Sequence, residues 1–312
     1  MEMFLGIDMG GTLIKLAIVD GKADVVEDAS VYTDINAAPK TVIKNIANII
    51  KNFKNYNKVK SIGVGIAGDV DYKKGVVRFS PNLPKWKNIY LKKELEKLTG
   101  KTVYADNDAN TASIGAFWLD IKNKADNVIC VTLGTGVGGG IIINKKLYRG
   151  SNGTAGEIGH ITVEAKGRKC NCGNSGCSET YIGVKHIVKE AVDILKTKKS
   201  KYIMKLADNN IKNITPKLLS QAALKGDVVA KQVWNNVGEK LGILLASLIN
   251  IFNPDSIVLC GGISNAGNLL IAPAKKEIKA RAFKTSADNC KIVISKYTGK
   301  LGVVGAAMLV KN

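Results

Sequence analysis

Two glycine-rich turns in this chain have the residue types that grip an anion. The first is Asp8-Met9-Gly10-Gly11-Thr12 and the second is Gly134-Thr135-Gly136-Val137-Gly138-Gly139-Gly140, each held between two apolar runs. Glycine has no Cβ, so backbone N–H groups in such turns can approach an oxyanion closely. One turn alone is read most simply as a tight hairpin. Two of them, with an acid and hydroxyls beside the glycines, favour two clamps on one polyphosphate, and ATP is the expected ligand. The second turn also spells G-x-G-x-x-G at Gly134, Gly136 and Gly139, but a dinucleotide site needs a helix next. Ile141-Ile142-Ile143 follows instead, a β-branched run that favours strand. Gly100-Lys101-Thr102 ends like a Walker loop, yet Leu95 stands where the leading glycine is required.

Three acidic positions extend the chemistry. Asp8 beside a phosphate turn would repel the ligand unless a cation intervenes, and Mg²⁺ held through a carboxylate and waters resolves this. The plainer alternative is an Asp that caps its own turn. Asp106-Asn107-Asp108-Ala109-Asn110 lies between a strand and a helix. Asn107 or Asp108 can be the helix N-cap. Asp108 also stands at the C-terminal end of a strand, where open α/β sheets place ligands, and a carboxylate there can accept the proton of an attacking hydroxyl. The third group is Glu157, His160, Cys170, Cys172, Cys177 and Glu179. One His and three closely spaced Cys make a Cys₃His set for tetrahedral Zn²⁺, closed to substrate and therefore structural. Glu157 and Glu179 flank that loop and suit polyol hydroxyls; the alternative is a pair of solvated loop acids.

These residues need strands and helices to hold them. The pattern predicts strands at Phe4–Asp8, Leu13–Val19 and Asp24–Tyr32, a helix over Pro39 to Phe53, and a strand at Val59–Ile66. A hairpin arm at Gly75–Phe79, a proline-bearing loop at Ser80–Pro84 and a helix from Leu91 to Thr99 closed by Gly100 come next. Val103–Ala105 reads as strand, Ala109–Trp118 as helix and Asn127–Leu133 as strand. The stretch from Asn144 to Glu179 reads as irregular, and a loop of that length is usually functional. A helix is expected over Val228–Phe252, with Val233, Val237, Leu241, Leu244, Leu248 and Phe252 on one stripe, stopped by Asn253-Pro254. Ser256–Cys260 reads as strand and Gly302–Val310 as a terminal helix. Two strand–Gly–strand units hint at duplication of an α/β half, with a cleft between the halves.

At 312 residues and 46% hydrophobic content, the chain is long and apolar enough for two domains and excludes global disorder. The net charge of +20 admits nucleic acid as a partner, but the lysines are scattered and no basic block with interleaved aromatics occurs, so this reads as lysine-rich surface. No secretory signal opens the chain and no apolar run reaches spanning length, so a cytoplasmic place with no membrane partner is expected. In a reducing compartment the clustered cysteines favour metal over disulfide, and Cys130 and Cys260 read as buried thiols.

Taken together, DMGGT, NDAN, LGTGVGGG, GEIGH, the C-x-C-G-x-x-G-C-x-E run from Cys170 to Glu179, and GGIS at Gly261–Ser264 resemble the ROK family of sugar kinases, in order and spacing from Phe4 to about Val310. The resemblance implies an α/β fold of the actin-like, hexokinase (ribonuclease H-like) type. A small domain at 1–118, joined by the terminal helix at about 300–312, and a large domain at 119–299 would flank an ATP cleft. It implies Asp108 as catalytic base, and sugar contacts from Asn82, Asn107, Asp108, Glu157, His160 and Glu179. His160 would also ligate Zn²⁺ with Cys170, Cys172 and Cys177. Asp8, Gly10, Gly11, Thr12, Lys15, Gly134, Thr135 and Gly136 would serve the phosphates and Mg²⁺; Gly261, Gly262 and Ser264 would line the adenosine pocket. Two departures are Cys260, where the family often has glycine, and Ala67, where many members carry proline. The implied reaction is ATP-dependent phosphorylation of a hexose, glucose first and N-acetylhexosamines or fructose next, with domain closure excluding water, in a homodimer or higher homo-oligomer. A non-catalytic sugar sensor is the other-class alternative. Family repressors carry an added N-terminal helix-turn-helix, and the phosphate strand here begins at about residue four, which favours the enzyme.

Overall fold

The structure, a computed structural model, describes residues 2–312. The first sheet begins with a meander: β1 (Met3–Met9), β2 (Leu13–Asp20) and β3 (Val25–Tyr32). Helix α1 (Pro39–Lys51) follows, then β4 (Val59–Ile66). A small antiparallel sheet of β5 (Asp69–Asp71), β6 (Val76–Phe79) and β7 (Lys87–Ile89) comes next. Helix α2 (Leu91–Thr99), β8 (Thr102–Asn107) and α3 (Asp108–Leu119) complete this run. Gly100 closes α2 in the left-handed region, at φ 68°, as its position after the last apolar residue predicts.

Strands β9 (Val128–Leu133), β10 (Val137–Ile143) and β11 (Lys146–Tyr148) open the second sheet. Helices α4 (Glu179–Ile182), α5 (Val184–Leu195), α6 (Lys201–Leu206), α7 (Pro216–Leu224) and α8 (Val228–Phe252) follow. Then come β12 (Ser256–Cys260), α9 (Asn268–Arg281), α10 (Lys284–Asn289), β13 (Lys291–Ile294) and α11 (Leu301–Ala307). Helix α8 has the expected bounds because both ends carry stop signals. The Asp227 side chain accepts from Ala230 N–H, and Asn253 turns left-handed at φ 42°.

The duplication is visible in the topology. The first sheet has the order β3-β2-β1-β4-β8 and the second β11-β10-β9-β12-β13. In each, strands numbered by appearance run third, second, first, fourth, fifth. Strand β10 directly after the second glycine turn confirms that no dinucleotide-binding helix starts there. Strand β11 falls in the stretch that reads as irregular, and β7 in one that carries no expected element; each is three residues long, too short for alternation to register.

Packing divides the chain into two compact units. One gathers Met1–Cys130, Gly139–Gly156 and Lys296–Asn312; the other gathers Val131–Gly138 and Glu157–Ser295. In the first unit Leu5, Ile7, Ile18, Ile43, Ile46, Ile50, Ile62 and Leu95 form a core with almost no exposed surface. Helix α11 lies directly on that sheet and on α3. A Cβ at Gly63 would stand 1.7 Å from Ala306 O, and one at Gly305 would stand 1.6 Å from Thr111 O. Backbone meets backbone at these points, so only glycine fits.

Gly305→Ala is therefore expected to cost about 2–3 kcal/mol through forced separation of α11 from α3. Gly299→Ala, two residues before the start of α11 and with open space around its Cβ, is expected to stay within about 0.5 kcal/mol of wild type. Urea unfolding midpoints of the two variants check this.

Candidate active site

In the first unit, parallel strands bring the acids to one level. Asp8 on β1 pairs with Gly65 on β4, and Gly65 pairs with Asp106 on β8. The next residues after Asp106 enter α3. Asn107 is the N-cap: its side-chain oxygen accepts from Ala109 N–H at 2.8 Å and Asn110 N–H at 3.4 Å, and its amide nitrogen donates to Gly68 O at 3.0 Å. Of the two cap candidates in the sequence, then, Asn107 takes the role and Asp108 becomes the first helical residue. Burial pushes the Asp108 carboxyl above the ordinary Asp range, against hydrogen bonds from Ala109 N–H, its own N–H and Asn107. A carboxylate with raised basicity, retaining some solvent access, suits proton acceptance.

Asp8 is the second perturbed acid. Burial lifts its pKa to about 6, the charge on Lys15 pulls it back, and the charge on Asp108 pushes it further up. A Cβ added at Gly302 would sit 2.6 Å from Asp8 Oδ2, so the start of α11 presses on this carboxylate. Lys15 donates to Gly299 O at 3.0 Å. The first glycine turn is braced by Gly10 N–H to Leu13 O at 3.0 Å and by the Thr33 hydroxyl to Gly10 O at 2.8 Å. Thr33 was invisible as a site residue because it lies on a different loop, 23 residues from Gly10. Asn82 is exposed on a loop anchored by buried Leu83 and Trp86, and a Cβ at Gly11 would be 3.3 Å from Asn82 Cβ. Thr12 is exposed at the turn.

In the second unit, Gly134 N–H donates to Gly136 O at 3.0 Å and Val184 N–H to Gly134 O at 3.1 Å, which seats the turn on the start of α5. Glu179 reaches the same turn: Val137 N–H donates to its Oε2 at 3.0 Å, and a Cβ at Gly136 would lie 2.3 Å from that oxygen. The sequence places Glu179 with the zinc loop and the sugar; the structure brings it against the phosphate turn as well. Thr135 is exposed beside it. Gly261 turns at φ 93°, Gly262 is exposed, and the buried Ser264 donates its hydroxyl to Gly261 O at 2.7 Å, so Ser264 shapes that turn from within.

His160, Cys170, Cys172 and Cys177 converge, with their ligand atoms all within 4.8 Å of one another. Cys172 and Cys177 sulfurs are 3.7 Å apart, and Cys170 Sγ lies 3.6 Å from His160 Nδ1. A tetrahedron with Zn–S bonds of about 2.3 Å has edges of about 3.7 Å, so the set fits zinc. Burial, then hydrogen bonds to its two cysteine neighbours, lifts the Cys177 thiol to about 12, while Asn174 N–H lowers Cys172. A bound divalent cation reverses such a thiol's preference and holds it as thiolate. His160 thus meets a sulfur through Nδ1, while its Nε2 lies 3.9 Å from Oε2 of the exposed Glu157. The ring can therefore serve a metal on one side and a polar ligand on the other.

The Cys₃His set, two phosphate-type turns and the Asn107–Asp108 junction are joined by one finding on kinship. Residues 4–312 match the ROK family. The chain belongs to the ROK family. Among its relatives is the glucokinase of Thermotoga maritima, 33% identical over 308 residues that span 99% of this chain and 97% of that one. The solved structure of a ROK family glucokinase from Streptomyces griseus, in complex with glucose and AMPPNP, superposes with a TM-score of 0.82 at 33% identity, covering 98% of each chain. The xylose repressor of Caldicellulosiruptor bescii is 31% identical over 318 residues, which span 98% of this chain and 77% of the repressor. The actin-like, hexokinase-type fold expected from the motifs is thus the fold of this ROK chain. Among the described residues no helix is long and apolar enough to cross a membrane.

Two outcomes follow for this site. Asp8 holds its proton more tightly folded, at about 6, than unfolded, at 3.8. Its charge therefore costs stability above pH 6, on the order of 2–3 kcal/mol, and the cost disappears as the pH falls through that window. Asp8→Asn is expected to raise unfolding free energy at pH 8 and to lose that advantage by about pH 4, as read by urea titration. Elemental analysis is expected to find one zinc per chain, and Cys177→Ser to abolish it while exposing the 157–179 loop to limited proteolysis.

Proposed function

We propose that this chain is an ATP-dependent hexokinase that phosphorylates the 6-hydroxyl of a hexose, with glucose as the preferred sugar. The observation that carries the reading is the junction of β8 and α3, where an Asn-capped helix presents a carboxylate of raised basicity at the C-terminal end of a parallel strand. The kinship with glucokinases supports the choice of sugar.

In the proposed reaction Asp108 accepts the O6 proton as that oxygen forms its bond to the γ-phosphorus and the bond to the β-phosphate oxygen breaks, releasing ADP. Gly10, Gly11, Thr12 and Lys15 from the first turn, and Gly134, Thr135 and Gly136 from the second, supply N–H, hydroxyl and ammonium donors to phosphate oxygens. Gly261, Gly262 and Ser264 shape the surface for the adenosine. Magnesium, when bound, neutralises phosphate charge, and Asp8 is the buried carboxylate that fits its hydrated shell. Asn82, Asn107, Glu157, His160 and Glu179 orient the sugar through hydroxyl-directed hydrogen bonds. Zinc, when bound to His160, Cys170, Cys172 and Cys177, fixes the ring of His160 and the approach of Glu179.

The repressor relative favours a second reading, a sensor that binds sugar without turnover. A coupled ADP-release assay over glucose, N-acetylglucosamine, N-acetylmannosamine, mannose and fructose separates the two. The expected result is the highest kcat/KM with glucose, and loss of at least 10³-fold in kcat for Asp108→Ala with sugar affinity kept, on the order of a base's full contribution. Sugar binding by calorimetry with no ADP release from the wild type would establish the sensor instead.

A further inference from the structure

Asp106 is a buried carboxylate that the reaction does not use. Its side chain is 3% exposed, and three donors hold it: Arg149 Nε at 2.8 Å on Oδ2, and on Oδ1 both Asn107 N–H at 2.8 Å and Asn110 Nδ2 at 2.8 Å. Arg149 is 14% exposed and comes from a loop 43 residues further on, just after β11. Its guanidinium carbon lies 4.7 Å from the centroid of the Tyr72 ring, within cation–π range. The same loop rests on that ring at Gly153, where φ is 94° and a Cβ would meet Tyr72 Cδ1 at 3.3 Å. Arg149 is thus clamped between an aromatic face and a carboxylate.

The direction of these bonds matters more than their number. Arg149 occupies Oδ2, which leaves Oδ1 turned toward α3. There it holds the N–H of Asn107, the cap residue, and the side chain of Asn110, one turn into the helix. Those two anchors bracket Asp108 on either side. The geometry points to Arg149 and Asp106 as a positioning pair that sets the angle at which the first turn of α3 presents Asp108. This rests on the reading of Asp108 as the base. Burial explains why an ion pair is used: once its Arg partner is lost, a desolvated carboxylate is left uncompensated and free to rotate, and Oδ1 no longer has a fixed direction. Reacting groups tolerate little such movement, since displacement of about 1 Å can cost on the order of 10²-fold in rate. Lys cannot substitute fully, because it lacks the planar fork that both donates to Asp106 and stacks on Tyr72.

The test is a set of five purified full-length proteins: wild type, Arg149→Met, Arg149→Lys, Asp106→Asn, and the double variant Arg149→Met with Asp106→Asn. Each is assayed for kcat and for KM of sugar and ATP, well below its melting temperature. Arg149→Met is expected to lower kcat by roughly 10–100-fold while both KM values stay within about threefold. Arg149→Lys, which keeps a cation and so preserves folding, is expected to fall between that and wild type. Asp106→Asn alone turns an amide N–H toward the Arg149 donor and is expected to be impaired. The double variant removes that clash, leaves the Asn oxygen on Asn107 N–H and Asn110, and is expected to be faster than either single variant. A purely structural pair would lower melting temperature and leave kcat of the folded protein within twofold of wild type. That result, or a double variant slower than both singles, would overturn the inference. Asp108→Asn in the same assay keeps the two readings apart. A dead Asp108→Asn beside unaffected Arg149 variants refutes the positioning pair alone, and an active Asp108→Asn refutes the base assignment beneath it.

Discussion

The parallel register of β1, β4 and β8 is the constraint on which the acids of the first unit depend. It places Asp8, Gly65 and Asp106 in one row across the sheet. Two strand spacings separate the outer members, about 10 Å, so the carboxylates at this level share an electrostatic environment without touching. Asp108, two residues beyond the end of that row, carries the charge that pushes the Asp8 carboxyl further up. The middle of the row has to be empty of side chain, because α3 crosses over it: a Cβ on Gly65 would fall 2.3 Å from the Thr111 hydroxyl oxygen. Slipping β1 or β8 by one residue would turn an acid to the opposite face, and slipping β4 would put Val64 or Ile66 under the helix in place of Gly65.

A second dependency runs within the other unit. Cys177 is a metal-set sulfur, and two residues later Glu179 accepts the N–H of Val137 in the second glycine turn. A cation that pins Cys177 therefore limits where Glu179 can reach, and Glu179 limits the shape of the turn. The oxygen used is Oε2, and it leaves no room for a side chain at Gly136, whose Cβ would lie 2.3 Å from it. With a cation on the Cys₃His set, this loop would brace the second glycine turn as well as His160. A closed four-ligand set would suit that role, since it gives rigidity and leaves no open coordination position for chemistry.

Much of this was legible in the sequence because its causes are local. Turn glycines, the cap of α3, the left-handed residues that end α2 and α8, and the spacing of the thiol ligands act over a few residues each. What escaped is long-range. Arg149 meets Asp106 across 43 residues, Thr33 meets Gly10 across 23, and Glu179 meets Val137 across 42. Nothing at either end of these pairs marks the other. Asp106 itself was hidden by its neighbours, since a carboxylate beside a cap residue and a candidate base is easily read as part of the same loop chemistry. The resemblance carried roles to residues with a motif; it gave none to Arg149, which stands outside every motif named.

Kinship with both kinases and a repressor sharpens what has to be explained, because a shared fold does not settle whether phosphoryl transfer occurs. A sugar sensor needs hydroxyl-directed acids and a rigid loop, and Glu179 beside a metal-filled Cys₃His set, with His160, would satisfy both. It has no use for a carboxylate of raised basicity whose angle is fixed. Keeping Asp108 buried enough to raise its pKa costs stability, and so does burying Asp106 and Arg149 to aim it. Such costs are expected to persist where the transition state repays them and to be relieved where binding alone is required. Asp106, held by three donors that leave its direction fixed, is the feature of this chain that binding would leave without a purpose and proton transfer would not.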